Sequence, residues 1–191
     1  PASDNDFGKN VIPKMLADGQ RMAAFRFQGY WKDVGTLTSL WDANMDMLSP
    51  DSGLDLSDES WPIYARSVDA PPIYMGGDSH VSHSAINRGC DIEGTVENSV
   101  LSPRVTIEKG ARVSYSVILP GVTVEAGSVI EYAIIGEGCH IGRECRVGGT
   151  PDSAPGGKWD LTVLAPDCAL EDGREIAPGV MLDRYGKEVL K

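Results

Sequence analysis

The architecture is decided by residues 96–147, which read VENSVLSPRVTIEKGARVSYSVILPGVTVEAGSVIEYAIIGEGCHIGRECRV. Small apolar residues return in this stretch every seventeen positions, with glycine and polar residues between them. The four series are Val105, Val122 and Cys139; Ile107, Val124 and Ile141; Val96, Val113, Ile130 and Val147; and Val100, Val117 and Ile134. Such a fixed repeat is typical of stacked coils, in which each coil buries little surface unless its neighbours cover it. It predicts a parallel β-solenoid, also called a parallel β-helix.

The spacing inside one repeat predicts three short strands in each coil. Apolar positions fall about six residues apart, at Val113, Val117 or Ile118, Val122 or Val124, and Ile130. An amphipathic helix would need apolar residues every three to four positions, whereas this stretch separates its apolar pairs by Gly, Pro, Asn and Ser. Each buried Val or Ile contributes about 1.5–3 kcal/mol, so stacked columns of them stabilise the solenoid.

The overall composition limits the classes of function. The chain has 191 residues and is 41% hydrophobic, as expected for a globular protein of one or two small domains. Its net charge of -11 argues against nucleic acid or an anionic membrane surface as a partner, because both require clustered Lys and Arg. No apolar run is long enough to span a membrane, and the first ten residues lack the pattern of a signal peptide. The default expectation is a cytoplasmic location.

The chain has four cysteines, and none of them forms a CxxC pair. Cys139 continues the series of Val105 and Val122, and free Cys behaves as a small apolar residue in protein cores. We therefore expect Cys90 and Cys139 to be buried thiols. The sequence leaves Cys145 and Cys168 undecided.

Residues 1–48 do not share the repeat, and they predict a helix, a strand and a second helix. The first helix, closed by Gly19, has Pro13 in its first turn and an apolar face of Val11, Ile12, Met15 and Leu16. Residues 21–28 alternate around Ala23, Phe25 and Phe27, which favours a strand before the turn at Gly29. The second helix follows, with Thr36 or Thr38 as N-cap and with Leu37, Leu40, Trp41, Asn44, Met45 and Leu48 at helical spacing.

This first segment is too short to enclose a core, so it needs another surface to pack on. Residues 49–60 are rich in Asp, Ser, Pro and Gly, which indicates a linker, and residues 61–75 indicate an extended lead-in that docks on the solenoid. The later parts are expected as coils over 76–148, an insertion at 149–158, an irregular coil or cap over 161–181, and a peripheral tail over 182–191.

Three motifs in the first part of the chain carry a family resemblance. They are DFGKNVIP at residues 6–13, YWKDVGT at residues 30–36 and WDANMD at residues 41–46. Together with the repeat that follows, they resemble the end of the catalytic domain in the glucose-1-phosphate adenylyltransferase (ADP-glucose pyrophosphorylase) family of bacterial glycogen synthesis. The resemblance implies that the coil is a left-handed β-helix, which spacing alone does not establish because parallel crossovers are normally right-handed. It also implies three parts: a nucleotidyltransferase remnant (1–48), a linker and lead-in (49–75), and the β-helix (76–191).

The same resemblance implies attack of glucose 1-phosphate on the α-phosphate of ATP, giving ADP-glucose and pyrophosphate. Such chemistry depends on positioning and on neutralising charge with Mg²⁺ and basic residues. Asp33 matches the family aspartate that helps to hold the metal, and a carboxylate suits that hard cation. Asp6, Phe7 and Trp31 match positions that line the sugar phosphate pocket. The β-helix is expected to help to build a homo- or hetero-oligomer, commonly a tetramer, and to take part in binding sugar-phosphate or nucleotide effectors.

Without the resemblance, the same residues also allow purely structural interpretations. Asp33 lies in a glycine-bounded turn, where aspartate is often a turn or capping residue. Trp31 beside Tyr30 is as readily a core aromatic, and Lys32 is most simply a solvated side chain. Basic Arg184, Lys187 and Lys191 suit an anionic effector, although a basic tail is more often solvated.

Other functions also remain open. The chain has no glycine-rich nucleotide loop and no F-x-E-K-P segment, and it begins with Pro1, so we expect a C-terminal piece that is inactive by itself. A hexapeptide acyltransferase or a trimeric metal site of the γ-carbonic anhydrase type would have to use His80, His83 or His140, for which exposed or turn positions are the simpler interpretation. A noncatalytic regulatory subunit is a further alternative. Related GDP- or UDP-sugar enzymes share the architecture, and the DVGT and W-x-AN pair favours the ADP-glucose branch.

Overall fold

The structure is a computed structural model that describes residues 5–56, 58–62, 64, 68–151 and 160–189. The first part of the described chain is helical, and the remainder is a solenoid of short parallel strands. The helical elements are a π-helix over Phe7–Val11, α1 over Ile12–Ala17, α2 over Leu37–Asp46 and a 3-10 turn over Pro50–Ser52.

The described residues form eighteen strands of two or three residues each. They are β1 (Tyr74–Met75), β2 (His80–Ser82), β3 (Ala85–Ile86), β4 (Asp91–Ile92), β5 (Thr95–Glu97), β6 (Val100–Leu101), β7 (Thr106–Ile107), β8 (Arg112–Ser114), β9 (Val117–Ile118), β10 (Thr123–Val124), β11 (Val129–Glu131), β12 (Ala133–Ile135), β13 (His140–Ile141), β14 (Arg146–Gly148), β15 (Thr162–Leu164), β16 (Ala169–Leu170), β17 (Glu175–Ile176) and β18 (Met181–Leu182). Successive strands belong to three different sheets in turn. Each strand pairs in parallel with the strand that lies three strands earlier in the chain. Three strands therefore make one coil, as the six-residue spacing predicts.

The three sheets are named here by their first strands. Sheet 1 runs β1, β4, β7, β10, β13, β16; sheet 2 runs β2, β5, β8, β11, β14, β17; and sheet 3 runs β3, β6, β9, β12, β15, β18. Each sheet lies on one side of a coil, and the core fills the space that the three sheets enclose. The parallel solenoid is confirmed, whereas its left-handed sense stays an expectation from the resemblance.

The seventeen-residue period is the register of the sheets. Val124 of β10 pairs with Ile107 on one side and Ile141 on the other, and Ile130 of β11 pairs with Val113 and Val147. All six of these side chains are at most 1% exposed. Identical positions of successive coils thus lie above one another, and burial accumulates along each column rather than inside one coil.

The fourth series, Val100, Val117 and Ile134, lies on the outer side of sheet 3 rather than in the enclosed core. The core side of the same strands is occupied by Leu101, Ile118 and Ile135. Val117 and Ile134 are nonetheless 2% and 3% exposed, because they belong to a separate cluster that includes Trp41 and Met45 of α2. Val117 and Ile134 of this outer series therefore form the surface on which α2 packs.

All four cysteines are free and buried. Cys90 and Cys139 lie in the core cluster as expected, and Cys145 and Cys168 occupy the same kind of position. The Sγ–H of Cys139 donates to the carbonyl oxygen of Ala165 at 3.1 Å. Burial raises the pKa of the Cys139 thiol to about 11 and raises the pKa of the other three as well.

Two helices of the first part form as predicted. Pro13 lies in the first turn of α1, and Gly19 beyond its end has a φ of 67°. Thr36 is the N-cap of α2, and its Oγ1 accepts the backbone N–H of Ser39 at 3.1 Å.

The predicted strand over residues 21–28 is wrong, because these residues form no regular element. Phe25 and Phe27 are 90% and 58% exposed. A strand needs a partner that takes up its backbone hydrogen bonds, and the part of the chain described here supplies none for this segment. Alternation of apolar residues indicates a sheet surface but does not create one.

The described part of the lead-in docks on the solenoid as expected, at the corners between sheets 3 and 1. The Arg104 guanidinium donates to the carbonyl oxygen of Asp69 at 2.7 Å, and the Gly89 N–H donates to that of Pro71 at 2.8 Å. The coils begin at Tyr74, slightly before the expected position 76.

The end of the solenoid is more regular than expected. Residues 161–181 do not form an irregular cap, since β15 to β18 continue the three sheets in register. The insertion appears as a change of interval, because Ile141 pairs with Leu170, twenty-nine positions later. Most of the expected insertion, residues 152–158, lies outside the described residues. Leu182, expected in the tail, is only 4% exposed and belongs to the core.

Candidate functional site

The four predicted site residues, Asp6, Phe7, Trp31 and Asp33, are all exposed. Phe7 is 73% exposed and Trp31 is 75% exposed, so neither is a core aromatic among the described residues. No hydrogen bond or ion pair between described side chains joins the pair at 6 and 7 to the pair at 31 and 33. The chain alone therefore does not assemble these four side chains into a closed pocket.

Asp6 has a local structural role. It is the N-cap of the π-helix, and its Oδ1 accepts the backbone N–H of Lys9 at 2.6 Å. Asn10 returns the contact by accepting the Asp6 N–H at 3.2 Å. This reciprocal capping fixes the backbone from which Phe7 projects into solvent.

Asp33 closes the turn that leads into α2. Its Oδ1 accepts the backbone N–H of Gly35 at 2.9 Å, as in the turn interpretation open from the sequence. The bond occupies one carboxylate oxygen of this exposed residue and leaves Oδ2 without a hydrogen bond among the described contacts. The turn role and a metal-ligand role are thus compatible in the same side chain.

The donor set fits Mg²⁺ as a partial site only. Mg²⁺ is commonly held by one or two protein carboxylates together with waters and substrate phosphates. Asp33 supplies one such carboxylate, and the described residues contain no group of three His, Cys, Asp or Glu that could hold a metal alone. Asp33 can therefore contribute a ligand, while the remaining ligands would have to come from substrate, water or other protein.

A partly buried network of side-chain hydrogen bonds joins the YWKDVGT motif to α2. Lys32 Nζ donates to Asp46 Oδ2 at 2.7 Å, and the Tyr30 hydroxyl donates to the same oxygen at 3.0 Å. The hydrogen bond from Lys32 holds the pKa of Asp46 below its ordinary value, although burial opposes this shift. The hydrogen bond to Asp46 raises the pKa of Lys32. The pKa of Tyr30 is also raised, mainly by burial and to a smaller extent by its hydrogen bond to Asp46. At neutral pH the network holds an ammonium, a carboxylate and an intact phenol.

The helix that carries Asp46 is anchored to the solenoid. Trp41 Nε1 donates to the carbonyl oxygen of Tyr115 at 2.8 Å. The Trp41 ring stacks on Tyr132 with a centroid distance of 6.0 Å, and Tyr132 stacks on Tyr115 at 4.7 Å. Both tyrosines lie at the corner between sheets 2 and 3 with positive φ angles of 47° and 50°. Met45 and Trp41 both pack against the apolar cluster on the outer face of sheet 3.

The sequence interpretation missed Asp46, Tyr115 and Tyr132 as parts of this region. Asp46 closes the WDANMD motif, but only the folded chain shows that it meets Lys32. Tyr115 and Tyr132 are seventeen residues apart, so they share one corner position of successive coils. Large aromatic residues repeating at a corner were the available signal for an aromatic docking point.

The three histidines occupy exposed or turn positions. His140 Nε2 lies 3.0 Å from Glu125 Oε1, and its side chain is 51% exposed. His83 has a φ of 44° and its Nδ1 hydrogen-bonds with Asn98 Oδ1 at 2.8 Å, while His80 lies 3.8 Å from Glu97. None of them lies in a metal-binding group among the described residues.

The basic C-terminal residues divide into two cases. Arg184 lies 3.4 Å from Asp167 and above the ring of Tyr185, so its charge already has a partner. Lys187 is exposed, and Lys191 lies outside the described residues.

In the parts of the chain that the structure describes, no helix combines the length and apolar character needed to cross a membrane.

Comparisons with known proteins agree with the order of these parts. The family model described as nucleotidyl transferase matches residues 1–50, and the model described as GlmU-like, C-terminal hexapeptide matches residues 74–159. The chain is 50% identical over 113 residues to proteins named glucose-1-phosphate adenylyltransferase from Bacillus mycoides (strain KBAB4), Bacillus cereus (strain Q1) and Bacillus thuringiensis (strain Al Hakam). The match covers 59% of this chain and 30% of each relative, so the chain spans about a third of the length of these relatives. The chain thus combines a segment similar to nucleotidyl transferases with a solenoid similar to GlmU-like hexapeptide domains, and over 113 residues it is similar to proteins named glucose-1-phosphate adenylyltransferase.

Proposed function

We propose that this chain is the C-terminal part of a glucose-1-phosphate adenylyltransferase, which makes ADP-glucose and pyrophosphate from ATP and glucose 1-phosphate for glycogen synthesis. The observation that carries the proposal is the 50% identity over 113 residues to proteins of that name. The three motifs at 6–13, 30–36 and 41–46, which precede a solenoid in the order that the family resemblance implies, also support it.

In this proposal the turn at Asp33 is the part of the chain closest to the chemistry. Mg²⁺, when bound, would neutralise phosphate charge as the α-phosphate of ATP is attacked. Asp33 would hold it through Oδ2, because Oδ1 is engaged by Gly35. The exposed ring of Trp31 offers an apolar face for a hexose, and Phe7 offers a second one beside the carboxylate of Asp6. These assignments follow the family motif residue by residue.

The exposed apolar side chains support the view that the N-terminal part packs against further protein. Phe7, Leu16, Phe25, Phe27 and Trp31 are all more than half exposed. Isolated exposed apolar residues are ordinary, but this number within one short segment is typical of a surface that another part of a domain covers. We therefore expect this chain alone to be inactive.

The solenoid is proposed to serve assembly and regulation. Its rigid stacked coils and the docking of α2 on sheet 3 suit a platform for a homotetramer and for sugar-phosphate or nucleotide effectors. Four free thiols agree with a reducing compartment such as the cytoplasm, where ATP is also available. On this view residues 1–48, 49–75 and 76–191 are the catalytic remnant, the lead-in and the regulatory domain.

The test is an assay of pyrophosphate release by the complete protein that carries this chain, with glucose 1-phosphate and ATP, UTP or GTP. We expect release with ATP and Mg²⁺, loss of release when the metal is chelated, and no release by this chain alone. Asp33→Ala should cut turnover by about a hundredfold or more without lowering the melting temperature.

Asp51→Ala is the matched control, because Asp51 is an exposed aspartate in the 3-10 turn outside the motifs. A preference for UTP or GTP would contradict the proposed nucleotide. Unfolding of Asp33→Ala would instead favour a purely structural role for the turn, and full activity of that variant would overturn the metal-ligand assignment.

A further inference from the structure

Solvent exposure alternates from one side chain to the next along residues 30–33, which include the proposed substrate residue Trp31 and the proposed metal ligand Asp33. Tyr30 and Lys32 are partly buried, whereas Trp31 and Asp33 are exposed. In an extended segment successive side chains point to opposite sides. The two inward side chains therefore determine how the two outward ones are presented.

Both inward side chains end on a single oxygen atom. Asp46 Oδ2 accepts the Lys32 ammonium at 2.7 Å and the Tyr30 hydroxyl at 3.0 Å. The side chains of Lys32 and Asp46 are only 27% and 31% exposed, so water competes with this contact less than with an ordinary surface ion pair. Hydrogen bonds to an ionised acceptor are shorter and stronger than neutral ones, which favours one fixed arrangement.

Asp46 is itself held in place from the other side. It lies in the last turn of α2, five residues after Trp41, whose indole N–H is bonded to the solenoid backbone at Tyr115. The cluster of Val117 and Ile134 with Trp41 and Met45 fixes the face of α2 that meets the solenoid. The position of Asp46 is thus determined by the solenoid through one short helix.

We propose that Asp46 is a positioning residue that fixes Tyr30 and Lys32, and with them the presentation of Trp31 and Asp33, to the helix anchored on the solenoid. The proposal rests on the proposed function for its catalytic consequence, but its structural content holds for this chain by itself. It gives the solenoid a direct mechanical connection to the reacting centre, in addition to any role in assembly.

The first arm of the test uses this chain and needs no activity. Backbone order parameters of Trp31 and Asp33, measured by nitrogen-15 relaxation, should fall in Asp46→Ala and fall less in Asp46→Asn, which keeps an acceptor for the Tyr30 hydroxyl. Amides of α2 should keep their order, because its solenoid contacts are untouched. Asp42→Ala is the matched control, since Asp42 is one turn earlier on the same helix and acts on Lys32 and Tyr30 only through its charge, without a described side-chain hydrogen bond.

The second arm uses the complete enzyme and steady-state kinetics. Misplacement of a reacting group by about 1 Å can cost about a hundredfold, so kcat of Asp46→Ala should fall about tenfold to a hundredfold relative to Asp42→Ala. The KM for both substrates should change much less, and Asp46→Asn should recover part of kcat. A merely structural role would lower the melting temperature without this split between kcat and KM.

The two failures are distinguishable. If the parent enzyme makes no ADP-glucose, the proposed function fails, and the order parameters still decide the positioning role. If the order of Trp31 and Asp33 is unchanged in Asp46→Ala, or if its kcat equals that of Asp42→Ala in an active parent, the positioning inference is overturned.

Discussion

At the scale of single residues, one column of the core contains both valine and cysteine at equivalent positions. Cys139 stands between Val122 and Cys168 in one column of the core and is 1% exposed. Desolvation penalises its thiolate, so its pKa rises from 9.0 to about 11. The thiol remains protonated in the folded protein under conditions where the same group in an unfolded chain has lost its proton.

This shift predicts a specific loss of stability at alkaline pH. The folded-state pKa of Cys139 lies above the unfolded-state value, so the stabilisation is complete below about pH 9 and is lost as pH rises toward about 11. Denaturant unfolding at about pH 8 and about pH 10.5 should show a larger decrease in the free energy of unfolding for the wild type than for Cys139→Val, by about 2 kcal/mol. Valine suits the site because Val105 and Val122 occupy the same column. Equal decreases in the two proteins would show that the thiol does not titrate differently in the two states.

At the scale of elements, α2 depends on packing against the solenoid more than on its own sequence. It has only ten residues, which is short for a helix in isolation, and it has no fully buried side chain. Its contacts with Tyr115, Tyr132 and the outer valines of sheet 3 supply the missing stabilisation. The solenoid, by contrast, has its own enclosed core and does not need α2.

Trp41→Ala should therefore release α2 and leave the solenoid folded. The expected result is fast hydrogen exchange of the amides over 37–46, with unchanged protection in β9 and β12, because the core columns of those strands lie inside the coil. The variant also exposes Val117 and Ile134, so binding of a hydrophobic dye should increase. Trp61→Ala is the control, since Trp61 is 79% exposed. If Trp41→Ala leaves exchange over 37–46 as slow as in the parent, the docking on sheet 3 is not what holds this helix.

The elements also show which parts of the fold and site sequence reasoning can reach. The period of Val113, Ile130 and Val147 determines strand pairing, because these apolar residues can share one buried column only in that register. The period cannot distinguish an inner from an outer column, so the docking role of Val117 and Ile134 required the folded chain. The strand expected over 21–28 is absent because a strand needs a hydrogen-bonding partner, and the sequence of the segment does not show whether the fold supplies one. Motif order led to the proposal of Asp33 as a site residue, which stays a prediction. The contact between Lys32 and Asp46 was beyond sequence reasoning, because it joins residues fourteen positions apart across a turn.

At the scale of the whole molecule, the columns join the coils into one structure whose stability is shared between neighbours. Val122 is fully buried between Val105 and Cys139, while Thr123 beside it lies on the outer side of sheet 1 between Thr106 and His140. Stability of such a repeat is a sum of coil terms and interfaces between neighbours, so damage to a central coil weakens both interfaces that it shares.

Val122→Asp should consequently unfold the solenoid cooperatively rather than loosen one coil. A buried charge without a partner costs several kcal/mol, which is comparable to the whole free energy of unfolding of an ordinary domain. Thr123→Asp adds the same carboxylate one position away, on the outer side of sheet 1 where the side chain is only partly buried, and should change the free energy of unfolding by only about 0.5 kcal/mol. Circular dichroism melting of the two variants gives the comparison, with loss of the β signal expected at ambient temperature for Val122→Asp alone. A melting curve for Val122→Asp that matches that of Thr123→Asp would mean that position 122 does not lie inside a closed column.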